Sequence, residues 1–289
     1  MNLEAQIYRV LVFAVLLTAF NWQATAQNLT YNGSAQYATG DYFFTERTGS
    51  FFVSNGLSVS GGSITLSINV PYIVQSSPWI SYSAHGLLAT GGPGSGTVSG
   101  RGSEGMGMGT GKGRKVDPGD ADTVSYTRAS FGDPNISGTF RIFTSQDRRT
   151  SLQASASVKF PLADPSKGFG TGAWDFGSGL SFAQRLGSHY IWLVNAMYWQ
   201  LGDMDDLEFK NPVSFSSGLG RVFAGSKWMV SANIYGYTKI LDEADPPLST
   251  GLSSSVGITD KVQLSANLVI GLSESVSDLS MGLGWSVRL

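Results

Sequence analysis

The chain has 289 residues, 42% of them hydrophobic and only 14% charged, with a formal net charge of -2. Soluble domains carry ~25% charged residues, so this surface is not paved with lysine and glutamate. With no cysteine, disulfide frameworks, zinc–thiolate sites and cysteine nucleophiles are excluded, and the charge balance offers no basic footprint for nucleic acid.

Read from the N-terminus, Val10 to Phe20 is an apolar run broken only by Thr18. It is too short for a helix that spans a bilayer, which needs about 20 residues. Ala24-Thr25-Ala26 then gives the small-x-small pattern of a cleavage site, so residues 1–26 are expected to be a signal peptide. Glu4 thins the positive charge that Arg9 brings to this segment.

Beyond Gln27 the pattern changes to a period of two. "SITLSINVPYIV" places Ile64, Leu66, Ile68, Val70 and Tyr72 on one face and Ser63, Thr65, Ser67 and Asn69 on the other. "SLQASASVKFPL", "VQLSANLVIGLS" and the closing "LSMGLGWSVRL" alternate in the same way. Such alternation is the mark of a strand with two unlike faces. About twelve segments carry it, near 29–43, 50–60, 63–75, 134–144, 150–162, 172–186, 189–201, 211–223, 227–240, 248–259, 262–273 and 278–289. They exceed the usual strand of about 5–6 residues and match the ~9–11 residues needed to cross a bilayer at a tilt. "HYIWLVNAMYWQL" is apolar on both faces. Asn195 sets its polar side, which sends Tyr190, Trp192, Val194, Ala196 and Tyr198 outward.

The connections alternate as well. Those at 61–62, 145–149, 187–188, 225–226 and 260–261 are short, and those at 76–133, 164–171, 202–210 and 241–247 are longer. Short turns at one end and long loops at the other describe a transmembrane barrel. The expected fold is therefore all-β: an antiparallel up-and-down barrel of about 12 strands over residues 27–289, placed in the bacterial outer membrane. A soluble sandwich would put charge on its polar face, and here that face is Ser, Gly, Asn and Gln. Trp79, Trp174, Tyr198 and Trp199 fall toward one membrane boundary and Tyr190, Trp192, Trp228 and Trp285 toward the other, where amphipathic rings are favoured. The long loop at 76–133 includes a low-complexity stretch, Gly91 to Gly119, that cannot build a core. It is expected to be extracellular, or to fold into the lumen as a constriction.

Few residues suggest chemistry. His85 and His189 are the only histidines, and neither sits in a nucleophile motif. "GTGKGRK" lacks the Ser or Thr and the leading Gly of a phosphate loop. The acidic groups Asp117, Asp120 and Asp122, then Asp203, Asp205, Asp206 and Glu208, then Asp242, Glu243 and Asp245 lack the spacing of a calcium loop. No catalytic residue, metal site or cofactor is expected. The functional candidates are side chains that parity turns into the lumen: Arg141, Lys159, Asp175, Arg185, Asn233, Tyr235, Tyr237 and Lys239. Facing lipid at mid-depth would cost a basic side chain roughly 2–4 kcal/mol. Inside, such groups would either set solute selectivity or tie strands across a filled interior. Arg221 shares parity with Phe215, Leu219 and Phe223, and it lies near a short turn, so snorkelling to the interface or a bulge would explain it.

Several stretches carry a resemblance: "GAWDFGSGLSFAQRLGSHYIWLVNAMYWQLGD" followed by "NPVSFSSGLGRVF", "SINVPYIV" before the Gly-rich loop, and "SFGDPNISGTFRIF" after it. They resemble a family of outer-membrane transporters named for the MetA pathway of phenol degradation, over nearly the whole mature chain. The resemblance implies a channel-like barrel for small, hydrophobic or aromatic solutes by passive or facilitated diffusion. The alternatives are a structural or surface-interaction barrel with a plugged lumen, or a barrel enzyme acting on lipid. Expected partners are outer-membrane lipid and lipopolysaccharide, the barrel-assembly machinery and a small-molecule solute. The C-terminal strand also resembles a bacterial barrel assembly signal, with Leu289 where an aromatic residue is usual.

Overall fold

The structure, a computed structural model, describes residues 28–42, 47–77, 80–83, 86–90, 127–204, 207–223, 227–242 and 244–289. The expected signal peptide, Trp79, His85, the Gly91–Gly119 stretch and the acidic residues Asp117, Asp120, Asp122, Asp205, Asp206 and Glu243 lie outside the described residues.

The strands in chain order are β1 (Asn28–Gly40), β2 (Thr48–Gly61), β3 (Ile64–Gln75), β4 (Ile80–Ser83), β5 (Gly86–Ala89), β6 (Arg128–Phe131), β7 (Asn135–Thr144) and β8 (Thr150–Lys159). Then follow β9 (Asp175–Leu186), β10 (Tyr190–Gln200), β11 (Val213–Val222), β12 (Trp228–Tyr237), β13 (Leu248–Gly257), β14 (Val262–Gly271) and β15 (Leu279–Arg288). Each pairing is antiparallel. β1 pairs with β2, β2 with β3, β3 with β6 and β7, and β7 through β15 each with the next. The ring closes where β15 returns to β1, from Thr30 opposite Arg288 to Thr39 opposite Leu279. Twelve strands thus form the wall, and closure of β15 on β1 removes the two terminal edges an open sheet would expose.

Alternation decides which face meets which medium. Met281, Leu283, Leu264, Leu268, Leu252 and Phe215 stand exposed on the outer surface. That outer apolar belt is the wall of a transmembrane barrel, whose exposed greasy surface faces hydrocarbon rather than water. Polar groups on this outer face are satisfied locally. The Trp192 indole donates to Ser217 Oγ at 3.0 Å, the Trp228 indole to Ser254 Oγ at 2.7 Å, and the Tyr31 hydroxyl to Asn55 Oδ1 at 2.6 Å. Arg221 faces outward near a short turn, with its guanidinium over the rings of Tyr190 and Phe223 at 5.9 and 5.2 Å. At the opposite end Trp174 stacks on Phe176 and packs against Phe160. Trp199 departs from the expected belt. It lies on the Asn195 side of β10, faces inward and is buried.

The sequence pattern does not anticipate β4, β5 and β6. β4 and β5 form a small hairpin inside the β3–β6 connection. β6 continues the wall, and a bulge separates it from β7: Asn69 opposes Asn135, but Tyr72 opposes Phe131. One extra residue therefore sits on the β6–β7 side, at Gly132–Pro134. A bulge bends the strand and re-aims a side chain, and here the re-aimed side chain is Asp133.

Candidate functional site

The interior divides into three zones along the barrel axis. The middle zone is lined by small uncharged polar side chains. Asn32, Ser34, Ser54, Asn69, Gln263 and Ser265 border a cavity of about 450 Å³. Cross-strand bonds hold such groups in place: Gln36 donates to Ser280 Oγ at 2.7 Å, Asn135 to Ser157 Oγ at 2.8 Å and Asn195 to Ser216 Oγ at 3.0 Å. Asn233 and Tyr235 belong to this zone. The Asn233 amide reaches Ser231 Oγ at 3.2 Å, and Tyr235 stands between the inward residues Ser216 and Ser249.

At the long-loop end the chain folds back into the barrel. Phe160–Trp174, which joins β8 to β9, carries a 3-10 turn at Pro165–Lys167 and positive φ at Gly168 and Gly172. Those turns drive Phe169 into a cluster with Ala38 of β1, Phe52 of β2 and Ile73 of β3. Phe169 keeps only 1% of its surface exposed. The walls it meets are as far as four strands from β8 around the ring. Gln75, at the end of β3, donates to the Lys167 carbonyl at 3.2 Å. A second cap faces it: Leu207 and Phe209, from the β10–β11 connection, pack on the inward Trp199 of β10 and on Leu201, Ile240 and Leu241. Asp203 accepts from the Phe209 N–H at 2.8 Å and so stiffens this cap.

A buried ion cluster clamps the infolded segment. Lys159 ends β8 and is wholly buried. Its Nζ lies 3.0 Å from Asp175 Oδ2, 3.2 Å from Asp133 Oδ2 and 2.5 Å from Thr171 Oγ1. Two carboxylates against one ammonium leave a surplus negative charge, and isolated burial of an ion costs several kcal/mol. Backbone donors offset part of that cost. Asp133 Oδ1 accepts from the N–H groups of Leu162 and Ala163 at 2.9 and 2.8 Å, and Asp175 Oδ1 from Gly202 at 3.1 Å. Asp133 Oδ2 makes the ion contact but takes no well-directed hydrogen bond. Residue 170 must be glycine here, because a Cβ would stand 2.4 Å from that oxygen.

At the short-turn end the lumen becomes basic. Arg141 faces inward opposite Gln153, next to a bulge between Arg141 and Phe143. Arg185 faces inward near the end of β9, and Arg288 near the end of β15.

The eight expected lumen residues thus separate. Arg141, Arg185, Asn233 and Tyr235 face the lumen. Lys159 and Asp175 face in as well but are consumed by the clamp. Tyr237 packs against the second cap. Lys239 is not in the wall: β12 ends at Tyr237, the Thr238 hydroxyl accepts from Val213 N–H, and Lys239 is exposed in the connection that follows. Gly177 and Gly179 do not widen the lumen as their small size suggests. A Cβ on Gly177 would strike Met197 and Trp199, so these glycines make room for larger side chains from β10. His189 sits in an exposed turn with Ser188 Oγ 2.9 Å from Nδ1. Among the described residues no group of three or more acidic or histidine side chains is disposed to hold a metal.

Sequence reasoning missed Asp133, Phe169 and Thr171. The signal for Phe169 was present: one large apolar residue between two glycines in a loop bracketed by Lys159 and Asp175.

Solved structures match the chain at low identity. A NanC porin is 8% identical, with 90% of this chain and 100% of that one covered and a TM-score of 0.49. A KdgM porin in complex with oligogalacturonate is 5% identical, with 91% and 99% covered and a TM-score of 0.46. The CymD monoaromatic hydrocarbon channel is 7% identical, with 91% and 88% covered and a TM-score of 0.44. No curated protein sequence matches the chain. The family described as "Putative MetA-pathway of phenol degradation" matches residues 48–289, which is most of the barrel, and the chain belongs to that family.

Proposed function

We propose that this protein is an outer-membrane channel that passes a small solute by passive or facilitated diffusion. The observation that carries the reading is the polar middle zone: a closed ring with an apolar exterior encloses a cavity of about 450 Å³ lined by Ser, Asn and Gln. A structural barrel of twelve strands has no need of such space, since interiors otherwise pack to crystal-like density. The infolded segment Phe160–Trp174 is the gate of this channel, held by Lys159. The family's description names phenol degradation, which supports a small hydrophobic or aromatic solute. The barrel is inserted by the barrel-assembly machinery into a membrane whose outer leaflet is lipopolysaccharide, with the long loops outside.

The two caps favour a second reading, a plugged barrel that serves as a structural or surface-interaction protein. Swelling of liposomes reconstituted with the mature protein separates the two. Influx of phenol-sized neutral solutes supports the channel. Vesicles that stay impermeable, both with the natural gate and with Pro165–Thr171 replaced by a short glycine linker, leave only the plugged barrel.

A further inference from the structure

The channel reading leaves the inward arginines at the short-turn mouth without a role. Arg141 and Arg148 line one recess of about 630 Å³ that Ile142, Phe143 and the hydroxyls of Ser63 and Ser151 also border. Among the described residues neither guanidinium has a carboxylate or hydrogen-bond partner. The Arg141 N–H donates to Ser63 carbonyl at 2.8 Å, which fixes its strand at the bulge. Arg148 is held at φ +55°, in the left-handed region that non-glycine residues seldom occupy. The nearby carboxylates are already engaged. Asp147 accepts from Ser145 Oγ and lies 3.6 Å from Arg149, and Asp260 pairs with Lys227. Arg185 and Arg288 add inward positive charge at the same end. Arg221, by contrast, faces outward onto aromatic rings, so the inward groups are not there to meet lipid phosphates.

Resting on the channel reading, we infer that the solute is a small organic anion: an apolar body carrying one negative group, such as a carboxylate. The zones succeed one another in the order such a molecule needs. Withdrawal of Phe169 with the gate would bare Phe52 and Ile73, an apolar surface at the long-loop end, the polar middle follows, and the guanidinium recess receives the charged end, for which the forked Arg donor is suited.

The test is the zero-current potential of the mature protein in planar bilayers under gradients of potassium chloride and potassium benzoate. Anion permeability several-fold above that of potassium is expected in both salts. Arg141→Glu with Arg148→Glu should reverse the preference, and Arg141→Gln with Arg148→Gln should abolish it if the charge reversal prevents assembly. Conductance that favours potassium, or a preference unmoved by either pair, overturns the inference and leaves the channel standing. Absence of conductance in the natural protein and in the Pro165–Thr171 linker variant overturns the channel reading, and this inference with it.

Discussion

Lys159 and Asp175 stand at the two ends of the segment that folds into the barrel, and their side chains meet 3.0 Å apart. The contact closes the base of the loop, as a clasp would. It also explains why β8 and β9 can splay a fifteen-residue connection inward and still rejoin in register, with Lys159 opposite Asp175.

Removal of the ammonium should release the clasp. Lys159→Met removes the ammonium that both buried carboxylates contact, a change of the kind that costs roughly 3–5 kcal/mol. The loss is expected to be local, seen as new protease cleavage within Phe160–Trp174. Adding Asp133→Asn and Asp175→Asn to Lys159→Met should restore protection in part, since the surplus charge is then gone.

Phe169 anchors the other end of the gate. Phe169→Ala removes a buried aromatic ring, a substitution that costs about 3–5 kcal/mol in a core. Because the ring belongs to a loop, the barrel's heat-induced gel-mobility transition should move little. The frequency of open events in single-channel records should rise.

At the seam, Trp285 of β15 lies over Gly33 of β1, and a Cβ on Gly33 would stand 2.3 Å from the indole. Gly33→Val must push the ring from its place, and overpacking of this kind costs roughly 1–3 kcal/mol. A lower temperature for the gel-mobility transition is expected, while Gly187→Ala, in an open turn with nothing near its added Cβ but with φ +66°, should act only through backbone strain.

Asp147 reports on pH. The Ser145 hydroxyl, then the Arg149 N–H, hold its carboxyl below the usual carboxylate range. A lowered folded-state pKa contributes stability that is complete above the unfolded value, about 3.9, and is lost as pH falls through the folded value. Natural protein and Asp147→Asn should therefore differ in thermal midpoint at pH 6 and converge in the acid range below 3.9. A difference that persists unchanged there would contradict the sign.

Most of the wall was legible because period-two alternation has one simple cause, an apolar medium outside and a polar one inside. The segment read at 189–201 from Asn195 alone appears as Tyr190–Gln200, with Tyr190, Trp192 and Tyr198 outward. Parity also placed Arg141 and Arg185 on the lumen side. It fails once the chain leaves the ladder, and so it misplaced Lys239. Parity says nothing about depth or partners either. It put Lys159 and Asp175 inward as selectivity candidates, but the pairing of Lys159 with Asp133 depends on a bulge at Gly132–Pro134 that no alternation predicts. The gate was hidden for the same reason: a loop's path is set by contacts four strands away.

The most direct test of the central claim is the conductance of the mature protein in planar bilayers beside that of the variant in which Pro165–Thr171 is a short glycine linker. A gated channel predicts brief, infrequent openings for the natural protein and sustained larger conductance for the variant. Equal conductance in the two would contradict the gate, and silence in both would contradict the channel.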